Sequence, residues 1–113
     1  REFVTGTLER LCVNPMQEKV SDLLAMAQDA KDDFDSACGA AENVRTKQAA
    51  LRKFRDELVR LYQMQTEMAA NVGSDSEKTL ADGLLTELER ISKAAHEAIG
   101  FTYTPLEQLA VLQ

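Results

Sequence analysis

The sequence predicts an all-α protein built around a helical hairpin or coiled coil, and three observations carry that expectation. Apolar or small residues return at alternating steps of four and three from Met16 to Val72 without an interrupting proline. The aromatic share is only 5 % with no Trp, so the core must come from Leu, Val, Ala and Met, a composition that suits helix packing better than a sheet. The remaining chain is punctuated by helix start and stop signals rather than by hairpin turns.

The first 13 residues contain Phe3, Val4, Leu8, Leu11, Cys12 and Val13, which predicts a short helix from near Thr7 that docks on the rest. Asn14-Pro15 then opens a new helix, with Asn accepting from free amides as N-cap and Pro fitting the first helical position. Its seam reads Val20, Leu23, Ala27, Ala30, Phe34, Ala37, Ala41, Val44, Gln48 and Leu51. From Leu51 the next step is three residues to Phe54, a stammer, before Leu58, Leu61, Gln65, Met68 and Val72 resume the alternation.

A single helix over residues 15–72 would be roughly 87 Å long at about 1.5 Å per residue. The alternative is a three-helix bundle broken near Gly39, where glycine costs about 1 kcal/mol relative to alanine. The heptad phase passes through Gly39 unshifted and no cluster of turn residues surrounds it, so the continuous helix is the leading expectation.

Val72-Gly73-Ser74 ends that helix, with Gly73 expected in the left-handed conformation, and Ser74-Asp75-Ser76-Glu77 is a capping box for the next. The second helix, about 75–99, must run antiparallel across so short a connection and carries Leu80, Leu84, Leu88, Ile91, Ala95 and Ile99 on one face. Gly100 stops it. Thr104-Pro105-Leu106-Glu107 repeats the start signal for a short C-terminal helix, preceded by Phe101 and Tyr103 as packing anchors.

The second helix is too short to cover the first along its whole length. The seam residues Val20, Leu23, Ala27, Ala30, Phe34, Ala37, Ala41 and Val44 are therefore expected to meet a partner, either another helical protein or a second copy. An antiparallel homodimer would set Ala41 against Val44 and Phe34 against Leu51, with Asp32 near Lys53 and Asp33 near Arg52 but also Asp29 near Asp56, so two of three charge meetings are favourable. A parallel pair would stack like charges.

Charge falls in blocks within a net of −6. Residues 1–43 carry −5, residues 44–72 carry +3 and residues 73–113 carry −4. The basic block is Arg45, Lys47, Arg52, Lys53, Arg55 and Arg60, read either as a surface balanced by its flanks or as a docking face for an acidic filament or a nucleic-acid backbone. The acidic total and the lack of interleaved aromatics disfavour nucleic acid.

No motif sets a nucleophile, an acid–base pair or metal ligands into a catalytic constellation, which predicts no catalytic residue, no metal and no cofactor. His96 reads as a histidine favoured by a helix C-terminus. Asp29, Asp32, Asp33 and Asp35 lack the glycine and terminal glutamate of a calcium loop and read as a solvated face. Cys12 and Cys38 form no CxxC motif and read as small hydrophobes, and with no apolar run of membrane length the chain is expected to be intracellular and not membrane-bound. A start at Arg1 fits one domain over residues 1–113, excised from a larger protein. The expected function is non-catalytic: a helical assembly module for protein–protein interaction or oligomerisation, with filament or nucleic-acid binding through the basic block as the alternative.

Overall fold

The computed structural model describes residues 15–112, which form four helices: α1 Pro15–Ala40, α2 Val44–Ala70, α3 Asp75–Ala98 and α4 Leu106–Leu112. The expected short helix near Thr7, the Asn14 cap and Cys12 lie outside the described residues. The first three helices pack on one another and α4 packs on α2. The all-helical class is as expected, and of the two arrangements the three-helix bundle broken near Gly39 is the one found.

The continuous helix over 15–72 is therefore corrected, and the cause is local chemistry combined with burial. Asn43 adopts an extended conformation (φ −148, ψ 166), and its side chain accepts from Thr46 N at 2.9 Å and from Thr46 Oγ1 at 3.0 Å. An N-cap of this kind is worth about 1 kcal/mol. Ala41 N closes the end of α1 on Cys38 O at 3.3 Å. Breaking the helix folds the α1 seam onto α2 and α3, so Val20, Leu23, Ala27, Ala30 and Phe34 are all buried. Each large side chain so buried contributes about 1.5 to 3 kcal/mol, far more than a few continued backbone hydrogen bonds. Within the chain α1 runs antiparallel to α2, with Phe34 against Phe54 at a ring separation of 5.2 Å rather than against the Leu51 expected of a second copy.

The far end of α2 is capped by Asn71, whose amide donates to Met68 O at 3.1 Å. Gly73 does not take the left-handed conformation; its amide donates to Glu77 Oε1 at 2.9 Å, while Ser74 Oγ accepts from Glu77 N at 3.3 Å. The capping box expected at α3 is thus present, with the glutamate reaching one residue further back than Ser74. The left-handed glycine is Gly100 (φ 73), which ends α3 in a Schellman arrangement: Phe101 N donates to His96 O and Gly100 N to Glu97 O.

The core joins Leu51, Phe54, Leu58, Leu61 and Met68 of α2 to Leu84, Leu88, Ile91 and Ala95 of α3. Leu106 and Leu109 bring α4 into the same cluster. Gln65, the polar step in the α2 seam, is buried with its amide donating to Ala81 O at 2.9 Å, which satisfies it without a partner chain.

Candidate functional site

The predicted interface residues separate into two groups. Val20, Leu23, Ala27, Ala30 and Phe34 are used up inside the bundle, and a partner could reach them only by opening it. Ala37, near the end of α1, is exposed, and Ala41 and Val44, at the turn that interrupts the expected seam, are half-buried and 63 % exposed. The reason for requiring a partner there, a seam left without cover, is removed.

The basic block also divides. Arg45, Arg52, Lys53 and Arg60 are exposed on α2. Lys47 is half-buried and near enough to the half-buried, unpaired Cys38 to oppose the rise in thiol pKa that burial causes. Arg55 turns inward and donates from Nε to His96 Nε2 at 3.0 Å. Acceptance at Nε2 places the ring proton on Nδ1, which donates to the Ser92 carbonyl at 2.7 Å, so His96 is neutral. Burial, with the Arg55 charge also opposing protonation, pulls its pKa below the ordinary value. The expectation from the helix dipole, which favours a charged histidine, is overridden because this ring is 0 % exposed. Tyr103 completes the surroundings edge-on at 6.0 Å.

Ser92 and His96 look like a nucleophile and base, but the imidazole meets the Ser92 carbonyl rather than its hydroxyl. The Ser92 hydroxyl is buried without a hydrogen bond, as is Glu89 Oε2. Glu89 Oε1 instead accepts from Leu106 N at 3.1 Å, capping α4 from α3, and burial pushes its carboxyl pKa up. Glu89, through Leu106 N, and His96, edge-on to Tyr103, thus fasten the C-terminal segment to the bundle.

The feature that sequence reasoning missed is a groove between α1 and α2. Its middle is lined by Met26, Glu57, Arg60, Leu61 and Met64, enclosing about 250 Å³. Toward the turn it continues over Phe34, Phe54, Ala37 and Ala50, between Asp33 and Lys53. At the other end it reaches Met16 and Met68, between Lys19 and Glu67. Met26 and Met64 are 50 % and 40 % exposed, unlike the apolar residues beneath them. α1 carries six acidic against two basic residues and α2 six basic against three acidic, but the charges that line the groove are of both signs on each side: Asp33 and Lys19 on α1, Lys53, Arg60, Glu57 and Glu67 on α2.

The acidic face of α1 stays at the surface, with Lys31 paired to Asp35 at 2.8 Å and Gln28 donating to Asp32 at 3.2 Å. Among the described residues no three His, Cys, Asp or Glu side chains converge as a metal site, and no helix is long and apolar enough to cross a membrane. Comparison with protein-family models, with curated proteins and with solved structures finds no match.

Proposed function

We propose that this chain is a non-catalytic helical interaction module, and that its docking site is the α1–α2 groove rather than the buried seam of α1. One observation carries the reading: two half-exposed methionines, Met26 and Met64, sit mid-groove, flanked by charged residues of both signs toward its ends. Unbranched thioether side chains repack at little cost, which suits a surface that receives another helix. An amphipathic helix in this groove turns an apolar stripe to the methionines and places charges that complement Asp33 and Lys53 at one end and Lys19 and Glu67 at the other. Burial supplies the affinity and charge sets the orientation.

The test is a binding titration with a synthetic helix of that pattern, followed by the methionine methyl resonances of the protein. Binding is expected to perturb Met26 and Met64 first, to weaken severalfold as salt rises, and to disappear in Met64→Glu. Binding that survives Met64→Glu sinks the reading.

A second reading is favoured by the exposure of Arg45 and Arg52, seven residues apart on one face of α2 and outside the lining of the groove. It makes that face a contact for an acidic filament or a nucleic-acid backbone. Reversing Arg45 and Arg52 to Glu would then abolish association while Met64→Glu left it intact.

A further inference from the structure

The geometry points to a second copy of this chain as the occupant of the α1–α2 groove, in a two-fold dimer that sets the α1 of each copy on the α2 of the other. The inference rests on the proposed docking role of the groove and specifies its partner. Its ground is the pairing of residues across the lips: Asp33 stands opposite Lys53, Met26 opposite Met64, and Lys19 opposite Glu67.

A two-fold axis parallel to the helices at the groove mouth exchanges the lips without sliding one copy along the other. Each residue of one lip then meets, from the partner, the kind of residue that already faces it across its own groove. Asp33 meets a Lys53, Lys19 meets a Glu67 and Met26 meets a Met64, each contact occurring twice in an isologous interface. The charge order along the groove, acidic then apolar then basic on α1 and basic then apolar then acidic on α2, is therefore self-complementary. An axis across the helices would instead stack α1 on α1, setting Asp33 against Lys19 and Met26 against Met26. Only the first arrangement repeats at each contact a pairing that the fold already makes across its own groove, and charge reversal at Asp33 and Lys53 separates the two.

Size sets the strength. From Pro15 to Ala37 the groove runs about 33 Å, and two helices side by side are roughly 20 Å wide, so each copy would cover about 660 Å². Stable interfaces cover about 800 Å² per partner, which places this dimer among the weak, concentration-dependent ones. Glu57 is the one acidic group of α2 that lines the middle of the groove, and it lines the part toward the turn together with Asp33, so in the dimer it would come near the Asp33 of the second copy and Glu57→Gln should tighten the dimer severalfold.

Sedimentation equilibrium of the full chain, from micromolar to near-millimolar concentration, tests the arrangement with two charge reversals. Wild type is expected to dimerise reversibly, and Asp33→Lys and Lys53→Glu are each expected to weaken it by about tenfold or more. An equimolar mixture of the two variants should restore association, because a mixed dimer regains opposite charges at both contacts. Failure of the mixture to associate better than either variant alone overturns the arrangement. So does a wild-type chain that stays monomeric throughout. Should either variant not fold, a Met26→Cys copy mixed with a Met64→Cys copy, with Cys12 and Cys38 changed to Ser, should crosslink faster than either copy with itself. Equal rates overturn the proposal. A monomeric chain that still binds the synthetic helix through Met26 and Met64 would exclude the second copy while leaving the docking role standing.

Discussion

His96 shows how a single residue can take a state opposite to the one its place in a helix suggests. It lies in the last turn of α3, where the dipole favours a cation, yet it is held neutral by burial and by the Arg55 guanidinium at 3.0 Å. Because its folded pKa lies below the ordinary 6.5, the unfolded chain binds more protons across the interval between the two values. Its contribution to stability is complete above 6.5 and is lost as pH falls from there through the folded value. Glu89 has the opposite sign: its folded pKa is raised above 4.5, so its contribution is present below 4.5 and lost as pH rises through the raised value. Thermal melts from about pH 7.5 to about pH 5.5 should therefore show falling stability in wild type and a flatter profile in His96→Gln, which retains an acceptor for Arg55. Parallel profiles would remove His96 from the account. Leu58, by contrast, is fully buried apolar core, and Leu58→Ala should cost about 2 to 5 kcal/mol, whatever the protein concentration, in denaturant melts.

At the scale of the elements, α3 and α4 were legible because each is bounded by residues whose effect is local. Ser74 with Glu77 starts α3, Gly100 ends it, and Pro105 accompanies the start of α4. The turn between α1 and α2 was not legible, since one asparagine cap does the work usually shared by a run of turn residues, and the apolar spacing on its two sides happens to stay in phase. The groove was hidden for another reason: Met26 and Met64 become neighbours only once that turn is made, as does the inward turn of Arg55 to His96. Leu23 is buried by helices of its own chain, so Leu23→Ala should destabilise independently of concentration, as Leu58→Ala does. A concentration-dependent loss at Leu23 would mean that α1 is covered in trans. The glycines separate in the same way. Gly100→Ala must hold a β-carbon at φ 73 and should cost about 1 kcal/mol. Gly73→Ala brings its β-carbon only to the flexible end of Glu77, at 3.3 Å, and should be nearly silent in melting temperature. Equal losses would show that the C-cap geometry at Gly100 is not what matters.

For the whole molecule, the turn at residues 41–43 is a balance between two folds of one sequence. The seam phase that runs from Val20 to Leu51 without a shift would let α1 and α2 join into one straight helix, while α1 packed in the same way on the α2 and α3 of a second chain. Such an exchange keeps every core contact and changes only the connection. The closed monomer is favoured by the Asn43 cap, worth about 1 kcal/mol, whereas Gly39 is helical in α1 and would stay helical in a continuous helix, so it weighs equally on both. Asn43→Ala removes that preference, and about 1 kcal/mol corresponds to roughly a fivefold shift in the balance between connections. The variant should accumulate a dimer that persists for hours after dilution, because undoing the exchange requires α1 to leave its core, whereas the groove-mediated dimer proposed for wild type would dissociate at once. Size-exclusion chromatography after dilution distinguishes the two by rate. A variant that elutes as the same rapidly reversible species as wild type would show that the burial of α1 within its own chain, and not the cap at the turn, decides where the long seam folds back.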